Sequence, residues 1–320
     1  MRWKQKHEMV SYSVNGRYLI QSVYNKAIKR DKVLRTSPLI LALFVNKNYR
    51  RKGKWTVSYK YLKIESKDSI KIITLNRADK GNALSLDFMD EVTRCALDLN
   101  DDTNTRVVIF RGEGKNFCTG ADLADPKHMD RNKLSMLEKM RSLDGGPNMI
   151  KAIYQIPQIS IAALHGKTLG GGACIASACD FRIGTTTCQV GYPEANYGMN
   201  LSWLGLPLCI HLVGPARAKR LVMLGNYEPA DDLFRWGFID ELVDAERLDS
   251  RCLESALEYS KQPPVAVQMI KKSVNQIVSA LDQAVMHMDK DQFMLSNLSE
   301  DYKEGIAAFL QGREADFRGN

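Results

Sequence analysis

From residue 61 onward, short apolar runs alternate with amphipathic stretches. Tyr61-Leu62-Lys63-Ile64-Glu65 and Ile70-Lys71-Ile72-Ile73-Thr74-Leu75 flank the polar Ser66-Lys67-Asp68-Ser69, a pattern that predicts a hairpin. Ser85 is placed to cap a helix running through Leu99, with Leu84, Phe88, Val92, Ala96 and Leu99 on one face. After the polar Asn100-Asp101-Asp102, Val107-Val108-Ile109-Phe110-Arg111-Gly112 reads as a strand. Ile159 to Leu164 is apolar and β-rich, leads into Gly170-Gly171-Gly172, and leaves through Ala- and Ile-rich residues suited to a helix, so strand, tight turn and helix are predicted. The hairpin-then-helix order is expected to recur there, with Phe181 to Gly184 and Cys188 to Gly191 flanking a Thr-rich turn. The predicted class is α/β, a stacked β-β-α spiral. Helical periodicity then takes over at Ala216 to Leu224, Ala230 to Trp236, Leu248 to Ser260, Val265 to Asn297 and Asp301 to Gln311, punctuated by Gly237 and Pro263-Pro264.

Composition adds a boundary. The 320 residues, 44% of them hydrophobic, are enough for one large core or a core with an appendage. The net charge of +8 is unevenly spread: residues 1–60 hold 15 Lys/Arg against Glu8 and Asp31, so the remainder is acidic. This gives an expected basic extension over 1–60, a spiral core over 61–245 and a helical region over 246–320. The extension could serve as a targeting segment, an anion-binding arm or an appendage that never folds. Its longest apolar run, Leu39 to Val45, is too short to span a bilayer, and no other span is read. Seven cysteines without a C-x-x-C pair argue against a disulfide framework and for a reducing compartment. The expected location is the cytoplasm, or the mitochondrial matrix if 1–60 is a transit segment. No cluster of His and carboxylates stands at metal-ligand spacing.

The glycine triplet carries the chemistry. Glycine lets a ligand approach the backbone, and a following helix aims unpaired N–H groups and its positive dipole end at that point. Lacking the Lys-Ser/Thr tail of a P-loop and the spacing of a dinucleotide fingerprint, the segment is better suited to an oxyanion hole. Close helix packing without a ligand is the alternative reading. Upstream, Asn116-Phe117-Cys118-Thr119-Gly120-Ala121-Asp122-Leu123 follows the strand at 107–112. Together with Ile161 to Asp180, Tyr192-Pro193-Glu194, Gly198 and the ending Glu304 to Phe309, it resembles the enoyl-CoA hydratase/isomerase (crotonase) superfamily over roughly residues 61 to 320.

The resemblance implies a crotonase-like spiral with a C-terminal helical region that packs between subunits in a homotrimer or hexamer. It implies an acyl-CoA thioester as substrate, with no cofactor beyond the coenzyme A of the substrate itself. Ala121 and Gly171 match the residues whose N–H groups grip the thioester oxygen, with Gly170, Asp122 and Leu123 beside them. Arg77, Lys80, Asn82, Ala83 and Leu84 match positions near the nucleotide, and Phe309 one that closes the pocket, with Phe317 as a second such residue. A solvated turn is the alternative for Lys80.

Glu194 matches one of the two carboxylates of a hydratase, and Val190, Tyr192 and Trp203 are expected around it. The other carboxylate position holds Cys174, read as a buried small hydrophobe within the substrate region. The extra aspartate of dienoyl-CoA isomerases falls on Ser202. One glutamate suffices to move a double bond, by taking a proton from C2 or C4 and returning it to the other carbon. A surface glutamate capping the next helix is the other reading of Glu194. Asn196, Asn200 and Ser202 read as turn residues, His165 as holding a turn and His211 as a helix-face residue. The expected function is therefore an acyl-CoA enzyme that moves or hydrates a C=C bond through a thioester enolate. Decarboxylation, thioester hydrolysis and a crotonase-like RNA-binding role, with Tyr12, Tyr18, Trp55 and Tyr59 in the basic segment, stay open.

Overall fold

The computed structural model describes residues 58–129 and 133–320. The expectations for the basic extension, including its aromatic residues before position 58, lie outside the described residues.

Strands β1 (Leu62–Lys67) and β2 (Ile70–Leu75) form the predicted antiparallel hairpin. Helix α1 (Leu86–Leu99) follows, capped by Ser85, whose side chain accepts the Phe88 N–H, and it buries Phe88, Val92, Ala96 and Leu99 as its periodicity requires. Next come β3 (Val107–Gly112), α2 (Met136–Ser142), α3 (Gly145–Tyr154) and β4 (Ile159–Leu164). The short β5 (Lys167–Leu169) precedes α4 (Gly171–Ala178), which is followed by β6 (Phe181–Thr185) and β7 (Gln189–Gly191).

The main sheet has the order β1-β2-β3-β4-β6, closed by a short strand at Glu241–Val243, and is parallel beyond the hairpin. Both of its faces are covered, which is why β3 and β4 read as continuous apolar runs. Val108, Phe110, Ala162 and Leu164 face α1, α3 and α4, while Val107, Ile109, Ile161 and Ala163 face the helix at Leu248–Ser260.

One expectation is corrected. β6 and β7 do not form a hairpin: β6 pairs with β4 in the main sheet, and β7 pairs in parallel with β5 in a second, three-stranded sheet. The chain turns a corner between β4 and β5 at Gly166, in a left-handed conformation (φ 53°) where a Cβ would overlap the Lys115 carbonyl. The β6–β7 layer repeats that corner and stacks beside it. The spiral is thus built from strand–bend–strand layers, each followed by a helix.

The C-terminal region contains α5 (Gly205–Leu224), kinked at Gly214-Pro215, α6 (Ala230–Trp236), α7 (Leu248–Ser260) and α8 (Pro264–Val278). The helix expected from Val265 through Asn297 breaks after Val278, where the Ser279 hydroxyl donates to the Asn275 carbonyl, and resumes as α9 (Gln283–Met286) and α10 (Asp289–Ser296). The last helix is α11 (Glu300–Gln311). α5 begins at Gly205, eleven residues before the stretch read as helical from Ala216, and Pro207 sits in its first turn, where no intrahelical donor is needed. The helical end leaves Met269, Ile270, Ile277 and Leu281 exposed.

α8 is tied to the core by a buried ion pair. Lys271 Nζ donates to Asp180 Oδ2 and to the Gln158 carbonyl, both at 2.7 Å, and the same Asp180 oxygen accepts from the Ser160 N–H and hydroxyl. Lys271→Ala leaves Asp180 buried without its cation and is expected to cost about 3–5 kcal/mol of stability. The check is a urea titration at unchanged m-value; a loss below about 1 kcal/mol overturns the assignment.

Candidate active site

The site forms where two backbone segments meet over the N-terminus of α4. Residues 116–122 are zipped to residues 165–169: Phe117 N–H donates to the His165 carbonyl (2.9 Å), Cys118 N–H to Lys167 (3.2 Å), and Leu169 N–H returns to Cys118 (2.9 Å). Asn82 fixes the loop from below, with Nδ2 donating to the carbonyls of Glu113, Asn116 and Phe117. A Cβ on Gly172 would overlap the Cys118 carbonyl, and one on Gly120 would lie 2.9 Å from the Leu169 carbonyl oxygen. Only glycine permits this approach; Gly120 and Gly170 also carry positive φ (94° and 51°).

Hydrogen-bond direction then sets where the free amides point. Gly120 carbonyl accepts from Leu84 N–H (2.8 Å) and Asp122 N–H donates to the Leu84 carbonyl (3.0 Å), so the Ala121 N–H between them faces the other side, toward α4. Gly170 N–H is taken by the Gly191 carbonyl (2.9 Å). Gly171 is the first residue of α4, whose leading N–H groups have no intrahelical acceptor. The positive end of the α4 dipole lies at the same point.

Glu194 reaches this corner from a 3-10 turn, Pro193–Tyr197, that directly follows β7. Its Oε1 sits over Gly170, where a Cβ would come within 2.7 Å of it. Its Oε2 is inaccessible to solvent and has no hydrogen-bond partner, although the residue as a whole is partly exposed. Burial, opposed only by a hydrogen bond from its own backbone, raises its carboxyl from the usual 4.5 to about 7. The turn is supported by α11: a Cβ on Gly198 would lie 2.7 Å from the Asp301 backbone, and one on Gly305 2.5 Å from that of Tyr197. The Phe309 and Tyr197 rings meet edge to face at 4.9 Å, which sets Phe309 against the residue three positions past the glutamate.

Cys174, in the first turn of α4, is buried, with its thiol raised well above the usual value by desolvation and by the negative charge of Glu194. No base adjoins it, and its Sγ packs against Gly205. Tyr192 is wholly buried and its hydroxyl pairs with that of Ser177 (2.7 Å). Val190 is buried in β7 beneath the same corner. Asn196 and Asn200 are engaged by the Gly225 carbonyl and the Gln292 side chain. His165 contacts the Gly114 carbonyl and His211 the Asp282 carboxylate, so both are structural.

On the outer edge, Arg77 Nη1 bridges the Asp122 carboxylate (2.7 Å) and the Ala83 carbonyl (2.8 Å), drawing Arg77, Ala83 and Asp122 together beside Ala121. Lys80 and Leu123 are exposed nearby. Leu84 is wholly buried in the core, so it serves the corner through its backbone alone and has no surface for an adenine. Phe317 is exposed at the chain end. Sequence reasoning missed Asp289 and Gly146, which both hold Trp203. The Gly145-Gly146-Pro147 run is a signal of close approach that could have found the second, whereas nothing in the helical pattern around Asp289 distinguishes it.

The family model for enoyl-CoA hydratase/isomerase matches residues 65–320. The chain is 30% identical over 262 residues to a crotonyl-CoA hydratase of Syntrophomonas wolfei, covering 82% of this chain and 99% of that protein. It is 27% identical over 247 residues to a 1,2-epoxyphenylacetyl-CoA isomerase of Escherichia coli, covering 77% and 94%. The crystal structure of an enoyl-CoA hydratase from Mycobacterium avium subsp. paratuberculosis superposes with a TM-score of 0.72 at 21% identity, over 82% of this chain and all of that one, a likeness of fold. With a family model that spans four-fifths of its length and a relative 30% identical over nearly the whole of that protein, the chain belongs to the enoyl-CoA hydratase/isomerase family of acyl-CoA enzymes.

Proposed function

We propose that the protein is an enoyl-CoA isomerase that shifts a C=C bond with one acid/base, Glu194. The observation that carries this reading is the Glu194 carboxylate at the α4 N-terminus, its Oε2 buried without a partner, with a buried thiol, Cys174, where the resemblance has a second carboxylate. The thioester oxygen of a 3-enoyl-CoA accepts from the Ala121 and Gly171 N–H groups. Glu194 takes a proton from C2, and the electron pair moves through the C1–C2 bond to the thioester oxygen as an enolate. The protonated Glu194 then returns that proton to C4, the enolate electrons re-form the thioester carbonyl, and the double bond ends between C2 and C3. Each amide donor is worth about 10²–10³ in rate. Arg77, held by Asp122, and the exposed Lys80 stand where they would meet the phosphates of coenzyme A, with Ala83 alongside. No cofactor is required.

The hydratase name of the Syntrophomonas relative favours a second reading, addition of water to a 2-enoyl-CoA at the same corner. In that case Glu194 alone activates the water. Self-association as a trimer or hexamer belongs to either reading and is supported by the exposed apolar residues of the helical end.

Purified protein incubated with 3-enoyl-CoA is expected to yield the 2-enoyl product with little 3-hydroxyacyl-CoA, and Glu194→Gln to lower kcat by about 10²–10⁴. Dominant hydration selects the second reading, and full activity in the variant removes Glu194 from the chemistry. Because the base must be ionised, kcat/KM is expected to rise with pH to a plateau above about 7. A profile flat from pH 5 to 8 contradicts a buried glutamate base.

The same burial has a stability consequence. The folded-state pKa of about 7 lies above the usual 4.5, so the folded protein keeps a proton that the unfolded chain releases between those values, and stability declines as pH rises through that window. Glu194→Gln, which cannot ionise, is expected to be more stable than the native protein by roughly 1–3 kcal/mol at pH 8 and equally stable near pH 4. Urea unfolding at the two pH values checks this; equal stability at pH 8 means the carboxylate is solvated.

A further inference from the structure

Trp203 occupies an unusual position. Its indole lies against Gly171, the first residue of α4, and against Gly146 in the first turn of α3; a Cβ on either glycine would overlap the ring. Trp203 and the following Leu204 both hold positive φ (61° and 58°), a left-handed pair that non-glycine residues rarely adopt. The turn is held by Asp289, a buried carboxylate at the start of α10 that accepts the Leu204 N–H at 3.4 Å. Its neighbour Lys290 pairs with Asp144, the residue preceding α3, at 2.5 Å. The elements that carry Gly146 and Asp289 are therefore clamped together, with the indole between Gly146 and Gly171.

The location of the ring relative to the corner gives it a role. An acyl chain whose thioester oxygen is held at Gly171, and whose C2 to C4 lie under Glu194, has to continue past the first turn of α4. On that side stand Trp203, Cys174 and Leu201, the last two packed against Gly205 at the start of α5. We propose that the Trp203 indole is the end wall of the acyl pocket and restricts this enzyme to short acyl chains, a specificity set by the glycines on either side of the ring and by the Asp289-held turn. This inference rests on the acyl-CoA reading above. A rigid ring braced on two backbones cannot rotate away as a flexible side chain would, so extra methylenes meet overlap rather than added burial.

The test is direct binding, which does not depend on which reaction the site performs. Calorimetric titration of the full chain with acetyl-, butyryl-, octanoyl- and dodecanoyl-CoA is expected to show octanoyl- and dodecanoyl-CoA binding at least about tenfold more weakly than butyryl-CoA. In Trp203→Ala that ratio is expected to shift by at least about tenfold toward the long chains. Trp203→Phe, which keeps a ring, should retain the native order. If Trp203→Ala does not fold, Trp203→Leu reads the same ratio. Native protein that binds dodecanoyl-CoA as tightly as butyryl-CoA, or folded variants that leave the ratio unchanged, overturn the inference. Failure of all four thioesters to bind sinks the acyl-CoA reading itself.

Discussion

The structure depends on one close contact between two stretches of backbone: residues 118–120 lie directly against residues 169–172, with no side chain between them. Gly120 and Gly172 make that approach possible, since a Cβ at either would meet the opposing carbonyl group. Each other feature of the site is positioned relative to it. Ala121 is turned inward because its neighbours are committed to Leu84, and Gly171 exposes its N–H because it begins a helix. Under the function proposed above, two donors fixed in this way need no reorganisation when charge develops in front of them, and such preorganisation is where electrostatic catalysis gains most.

The glutamate above the contact is governed by a different balance. A carboxylate with one oxygen removed from water and left without a donor holds its proton to near neutrality. That makes the folded state less stable than it would be with an amide there, and makes the same group able to accept and release a proton at physiological pH. The cost is borne by the packing around it: β7 leads into the turn, and α11 grips it from below through Gly198 and Gly305. The helix Glu300–Gln311, more than 100 residues from Glu194, is in this sense part of the corner that holds it.

The surroundings of that carboxylate are apolar on the side of Cys174 and Trp203. A thiol raised well above its usual range stays neutral and leaves Glu194 without an ionised partner. On that side the next carboxylate is Asp289, which is engaged by the backbone of the Trp203-Leu204 turn.

Much of this was legible along the chain. Period-two and helical apolar patterns gave β1 to β4 and α1, because those elements bury one or both faces in the ordinary way, and the glycine triplet marked the corner because no other residue tolerates its backbone geometry. The fit to the family motifs assigned Glu194, Ala121 and Gly171 to one neighbourhood. Other features were hidden. The partners of β6 and β7 lie in different sheets, and strand pairing across a bend leaves no local trace. The early start of α5 left no one-sided apolar pattern, because Gly205, Pro207, Leu208 and Cys209 are all buried. Asp289 and Gly146 became neighbours of Trp203 through the meeting of helices distant in sequence. Sequence alone determined which residues could accept these conformations, since propensity, burial pattern and backbone freedom are local properties. Tertiary structure decided which amides stayed free, which carboxylate oxygen lost its water and which glycines the Trp203 ring packs against, because those depend on distances between segments that no local pattern encodes.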